Sequence, residues 1–157
     1  MEEMIWFLRI FTLFFIVFVG SIFAVKDATF TQSTTSALKW EPALKLILLN
    51  YSAKYGRLPL TGESIEGKHS GEEIKIDILA LVPNEKVILK FTGLSHMETE
   101  TLQIQFVEKE NLVQIGLTLS ANAKPDFLSR VVFLFFGSHS LEAQANTLSL
   151  LLAPQPK

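Results

Sequence analysis

The chain has no cysteine, only three histidines, and 14 basic residues set against 16 acidic ones. Without cysteine there is no disulfide framework, no thiolate metal site and no thiol nucleophile, although the redox compartment stays open. The charges are interspersed rather than blocked, and the net value is −2, so no basic face offers itself to a nucleic-acid backbone. His69, His96 and His139 share no ligand spacing; a zinc or iron site would need the fold to gather them with carboxylates. Ser138-His139-Ser140 lacks a third member and a nucleophile elbow, which leaves hydrolase chemistry unsupported. Glu98, Glu100, Glu108 and Glu110 fall around the turns of an expected hairpin, where carboxylates are ordinarily just solvated. The sequence therefore carries no catalytic, cofactor or metal assignment, and the expectation is a protein that is not an enzyme.

Charge is also missing from the whole of Ile10–Val25. With Met4–Leu8 ahead and only Arg9 interrupting, the apolar stretch reaches about 20 residues, enough for a helix to cross a ~30 Å hydrocarbon layer. A cleaved signal peptide would want a positive start and small residues before the cut. Here the start is Glu2 and Glu3, and the one passable cut, after Ala24, has Ile22 ahead of it. Residues 1–26 are accordingly read as a retained single-pass membrane anchor with a short cytoplasmic tail, Phe11, Phe14, Phe15 and Phe18 facing the bilayer. Arg9 lies about one turn inside the boundary, where its stem can snorkel to the headgroups. Arg9 and Lys26 nearly cancel as orientation signals. The very short leading tail and large trailing domain put the C-terminal part outside the cytoplasm, periplasmic or extracellular. Gly20 and Ser21 would permit close helix–helix approach, and six phenylalanines with Trp6 exceed what lipid solvation needs. Packing against other membrane or envelope proteins, or self-association, is the sharper reading of that excess; an ordinary lipid-facing span is the plain one.

Asp27–Ser36 is polar and rich in Thr and Ser, and reads as a linker or a frayed continuation of the helix. Residues 37–157 form the soluble domain. Pro42 suits a first helical turn, and Ala43–Tyr55 has an apolar stripe of Leu44, Ile47, Leu48, Tyr51 and Tyr55. Gly56 stops that helix, with Pro59 just beyond, and Leu60–Glu73 reads as an exposed loop. Period-2 alternation then predicts strands around Ile74–Ile78, Val87–Phe91, Leu102–Phe106 and Val113–Leu119, with a turn at Pro83-Asn84-Glu85 and a hairpin at Glu108–Asn111. Val131–Phe136 is continuously apolar and reads as a central strand. Asn146–Ala153 reads as a last strand, although Leu141, Ala145, Leu148 and Leu152 also keep helical spacing. The fold class is α+β: a transmembrane helix, then one amphipathic helix on an antiparallel meander of five or six strands. Gly62–His69 imitates a phosphate loop, but His69 sits where a hydroxyl should hold magnesium, and Glu63 and Glu66 would repel phosphate. Asn50-Tyr51-Ser52 matches a glycosylation acceptor yet falls on an expected buried helix.

The order of elements resembles the type IV pilins and the pseudopilins of type II secretion. Phe11-Thr12-Leu13, followed by an apolar run, is similar to the mature start of that family. Tyr51, Tyr55, Gly56 and Pro59 are similar to its helix-to-loop junction, with Leu58 in place of an aromatic residue. Ile10 stands where the family has a glycine before cleavage, and Phe15 where it has an early glutamate. The resemblance implies a non-enzymatic, single-pass component of a pilus or secretion-type assembly that acts by protein–protein association. The alternative is a membrane-anchored or secreted β-rich domain that binds a small ligand, peptide or glycan. An enzyme would require one of the histidines to meet acidic residues in a single cleft.

Overall fold

Alternating apolar residues, two short helices and one long one build an antiparallel sheet with helices on a single face. A computed structural model describes residues 2–69, 72–109 and 112–153. The elements run α1 (Glu2–Ala24), β1 (Asp27–Ser36), α2 (Trp40–Ile47), α3 (Leu49–Tyr55), β2 (Ser64–His69), β3 (Glu72–Val82), β4 (Lys86–Thr92), β5 (Met97–Lys109), β6 (Leu112–Ala123) and α4 (Phe127–Leu152). The six strands lie in the order β1-β6-β5-β4-β3-β2, so the first strand closes against the last and the rest form a meander.

One face of the sheet is apolar because a strand's side chains alternate. Leu89, Leu102 and Leu119 lie in register across β4, β5 and β6, and Ile104 and Leu117 form the next rung. Phe30 on β1 continues the first rung from the other side. The opposite face is polar and wet, with Thr29 Oγ1 donating to Ser120 Oγ at 3.2 Å. On the apolar face, α2 inserts Trp40 edge-on against Phe106, ring centroids 5.1 Å apart. The long α4 covers the β1–β6 side with a stripe every fourth residue: Ser129, Phe133, Gly137, Leu141, Ala145 and Ser149.

The sheet corrects several expectations. Asp27–Ser36 is neither linker nor helix but β1, paired with β6 from Asp27↔Asn122 to Ser36↔Val113. Its threonines favour a pleated edge, where weak apolarity is tolerated. Val131–Phe136 and Asn146–Ala153 are not strands; both lie in or at the end of α4. Asp126 caps that helix, its Oδ1 accepting from the Ser129 N–H at 2.8 Å. The expected loop Leu60–Glu73 contains β2, and the phosphate-loop imitation is largely strand. The single helix Ala43–Tyr55 is two, broken at Leu48 (φ −104°, ψ 37°), where the Ser52 hydroxyl donates to the Lys45 carbonyl at 3.2 Å. Other expectations hold. Strands occur at all four alternating runs, and Gly56 ends α3 in the left-handed conformation (φ 67°). β5 and β6 pair to Lys109↔Leu112; Glu110 and Asn111, at the hairpin tip, lie outside the described residues.

α1 stands apart from this core. Phe11, Phe14 and Phe15 are exposed, and Gly20 has nothing within 4 Å of where a Cβ would be, so among the described residues no second helix meets it. Phe14 stacks on Phe18, and Ser21 Oγ returns a hydrogen bond to the Val17 carbonyl at 2.8 Å. Ile5–Ala24 is long and apolar enough to span a membrane or to serve as a signal sequence, and almost none of it is buried. A core helix of the same composition would be buried. Only its last turn docks: Ile22 is fully buried, and the Phe23 carbonyl accepts from Arg130 Nη1 of α4 at 2.8 Å.

Candidate functional site

The helix-to-loop junction at Tyr51–Pro59 is organised, but as structure. Tyr51 is buried, Tyr55 exposed and Pro59 buried. Glu63 ties the junction together: Arg57 donates to both its oxygens (3.0 and 2.6 Å), the Tyr51 hydroxyl donates at 3.0 Å and the Leu60 N–H at 2.7 Å. The Arg57 bonds, above all, hold the Glu63 carboxyl down at about 2. Burial raises the Tyr51 hydroxyl above its ordinary range, and its bond to Glu63 adds to that. Both Glu63 oxygens are engaged within the chain, which makes this carboxylate the clasp of the junction.

A different place gathers unlike chemistry. Between α4 and the ends of β3, β4 and β5 lies a cleft of about 270 Å³. Its apolar wall is Leu94, Met97, Val132, Phe133 and Phe136; its polar wall is Glu72, Ser95, His96, Glu100, Ser140 and Gln144. The sheet puts the two carboxylates there by phase. Glu72 alternates with Ile74 and Ile76 on the apolar face, and Glu100 with Leu102, Ile104 and Phe106. Glu100 sits between Phe91 and Ala121 in the ladder and is only 4% exposed. From α4, Gln144 Nε2 donates to Glu100 Oε2 at 3.1 Å.

Glu72 Oε2 accepts from the Ser95 N–H at 3.0 Å. Hydrogen bonding from Ser95, with His96 and Lys124 adding to it, holds the Glu72 carboxyl below its usual range, so it is ionised at neutral pH. Lys124 Nζ in turn donates to the Ser95 carbonyl at 2.8 Å, which fixes the Ser95–His96 rim to the β6–α4 connection. Above the cleft, Gly137 makes room for Phe133: a Cβ there would lie 2.9 Å from the ring. The site is thus an apolar slot with an anionic and amide end, suited to a small ligand with a hydrophobic body and hydrogen-bonding groups.

Other hollows are larger: one of about 340 Å³ lies between α3 and the β2–β3 edge, lined by Tyr51, Tyr55, Ile65 and Lys75. One of about 470 Å³ beside Glu66, Lys68 and Glu73, and one of about 590 Å³ around Lys39–Pro42 and Pro83-Asn84, lie on surface loops and strand ends rather than under a helix.

Among the histidine side chains described, His96 lines the cleft. His139 is on the exposed side of α4, 3.8 Å from Glu142, and the His69 side chain lies outside what is described. Among the described residues, no three of His, Asp and Glu converge closely enough to hold a metal ion. Glu100 overturns the expectation of a solvated turn carboxylate, whereas Glu98 and Glu108 are exposed. Glu110 lies outside the described residues.

No protein-family model matches the chain, and no curated protein matches it in sequence. Solved structures do match it in shape. Ara h 8.0201 is similar over 80% of this chain and 95% of its own, at 10% identity and a TM-score of 0.56. The Aha1 protein from Colwellia psychrerythraea, solved as a dimer, is similar over 80% and 93%, at 15% identity and 0.56. Truncated norcoclaurine synthase from Thalictrum flavum is similar over 83% and 96%, at 12% identity and 0.53. These neighbours are Bet v1-like helix-grip proteins, not pilins. The pilin and pseudopilin resemblance, and with it the pilus or type II secretion component, is therefore corrected. The motifs that suggested it, a Phe-Thr-Leu opening and a Gly-capped helix before proline, are what any apolar span and any glycine-stopped helix carry. At such identities the likeness is one of fold: an antiparallel sheet that holds a long C-terminal helix against its apolar face.

Proposed function

We propose that this chain is a small-molecule-binding domain of helix-grip architecture, tethered to a membrane by α1. The observation that carries the reading is the cleft under α4, where a buried Glu100–Gln144 pair and ionised Glu72 face Phe133, Phe136 and Met97. A ligand of one or two rings suits the volume, its body on the phenylalanines and its donors on the carboxylates. The tether is supported by α1 itself, whose apolar side chains have nowhere to hide in the fold.

The test uses Met97, one of three methionines; the others, Met1 and Met4, belong to the N-terminal segment of the sequence. The full chain, ¹³C-labelled at methionine methyls and held in lipid nanodiscs, is titrated with one- and two-ring amines, carboxylic acids and phenols. The expected result is a saturable shift of the Met97 methyl with at least one class, abolished by Ser140→Phe, which plugs the cleft. No shift with any class, or the same shift in the plugged variant, refutes the reading.

A second reading, an enzyme, is favoured by one arrangement: His96 lines the same cleft as Glu72 and Glu100, the meeting of imidazole and carboxylate that acid–base chemistry requires. The fold also carries a synthase among its members. Mass spectrometry of any ligand found above, before and after incubation with the chain and with His96→Ala, separates turnover from capture.

A further inference from the structure

We propose that the outer face of the first three turns of α4 is a second membrane contact, lying on the lipid surface beside α1. This rests on the reading of α1 as an inserted anchor. Three observations carry it. First, the face carries a run of exposed apolar residues that the middle of the helix exterior lacks; Leu150 and Leu151 are exposed again only at its far end. Phe127, Leu128 and Phe135 are exposed, as is Phe136 at the rim of the cleft. Beyond them the exterior turns to Ser138, His139, Glu142 and Asn146.

Second, the face is continuous with α1. The Phe23 and Phe127 rings lie 6.3 Å apart, and Arg130 reaches from α4 to donate to the Phe23 carbonyl with its guanidinium 5.7 Å from the Phe23 ring. Arg130 thereby serves one of the unpaired carbonyls at the end of α1 and fixes the start of α4 at the depth where α1 leaves the bilayer. An amphipathic surface there sits about 5–10 Å into the headgroup and acyl boundary.

Third, the face is too small for a partner protein. At about 200 Å² for a large side chain, four such residues a little over half exposed present on the order of 400 Å². That is half of the ~800 Å² per partner that a stable interface needs. A lipid surface requires no such minimum. The contact places the Phe136 side of the cleft at headgroup level.

Because the chain has no cysteine, single nitroxide labels report it cleanly. Phe14→Cys, Leu128→Cys, Phe135→Cys and Asn146→Cys are labelled in the full chain in nanodiscs, and collision with oxygen is compared with collision with a water-soluble nickel complex. The oxygen-to-nickel ratio is expected to be several-fold higher at positions 14, 128 and 135 than at 146. A lipid-like position 14 with water-like 128 and 135 overturns this proposal and leaves the anchor standing; a water-like position 14 overturns both. Spin–spin broadening at 128 or 135 would assign the face to a second copy and also overturn the proposal.

Discussion

Replacing Gly93 by alanine tests how tightly the rim of the cleft is built. Gly93 has φ +93° and follows β4; a Cβ there would lie 2.5 Å from the Glu73 carbonyl oxygen, half an ångström inside the 3.0 Å floor of real contacts. Gly62 provides the reference. Its φ of +88° is nearly the same, but nothing lies within 4 Å of its would-be Cβ. Both substitutions bear the positive-φ penalty of ~1–2 kcal/mol, partly offset by ~0.4–1 kcal/mol from a stiffer unfolded chain. These terms cancel in the comparison. Only Gly93→Ala must also push a strand carbonyl aside, an overpacking cost of ~1–3 kcal/mol. At ~2–4 °C per kcal/mol for a chain of this size, Gly93→Ala should melt roughly 2–12 °C below Gly62→Ala by far-UV circular dichroism in nanodiscs. The displaced segment leads into Ser95, whose N–H holds Glu72, so the Met97 methyl should move in the first variant and not in the second. Equal melting temperatures with unmoved Met97 spectra would refute the close approach.

Gly137→Ala should lower stability by up to ~2 kcal/mol, because overpacking of ~1–3 kcal/mol against the Phe133 ring outweighs the ~1 kcal/mol helix-propensity gain; a raised melting temperature would contradict this. Trp40→Ala removes a side chain only 8% exposed and seated against Phe106, and should cost ~3–5 kcal/mol in thermal melts; a loss under ~1 kcal/mol would show that α2 is not part of the core. Glu63 has its carboxyl held down at about 2, so its contribution is complete above the ordinary carboxylate range and is lost as pH falls toward about 2. Melting of the wild type should therefore drop more steeply than that of Glu63→Gln across that acid window, and parallel curves would sever Glu63 from the stability of the junction.

The part of the fold legible in the sequence was the part with strong period-2 alternation. β3 to β6 each carry Ile, Leu, Val or Phe on one face and polar residues on the other, and each is found. β1 escaped notice because, of its inward residues, only Ala28 and Phe30 are apolar while Gln32, Thr34 and Ser36 are polar, too short a run to read as alternation. α4 was misread because Val131–Phe136 has the composition of a buried strand. The deciding signals lay outside that run: an Asp126 cap before it, and a four-residue spacing that extends Leu141 and Ala145 back through Gly137 to Phe133. Missing α4 meant missing the cleft, since Phe133, Ser140 and Gln144 exist as a wall only on a helix. Glu72 and Glu100 were still readable in principle. Each continues the inward phase of its strand, which turns its carboxylate toward the core side: Glu100 is buried there and Glu72 half-buried.

The connection between tether and cleft follows from the pairing of β1. Only Val25 and Lys26 separate the last turn of α1 from the sheet, and the Lys26 carbonyl accepts from the Ala123 N–H at 2.9 Å. The next residue along, Lys124, donates its N–H to the His96 carbonyl and its Nζ to Ser95. Three strand ends, those of β1, β6 and β5, are thus laced together at the point where α1 enters, and the polar rim of the cleft is part of the lacing. A long Gly/Ser tether would let the domain wander tens of ångströms from its anchor. Here the register Asp27↔Asn122 removes that freedom, so on the proposed reading the cleft stays within a few residues' reach of the lipid surface. Breaking the lacing without unfolding the sheet should separate binding from placement. A flexible Gly-Ser insertion between Lys26 and Asp27, combined with Arg130→Ala to release the Phe23 carbonyl, is expected to leave the Met97 response to ligand intact while nitroxides at positions 128 and 135 become water-exposed. If both persist unchanged, the sheet register is not what holds the cleft at the membrane, and the surface of α4 does so alone.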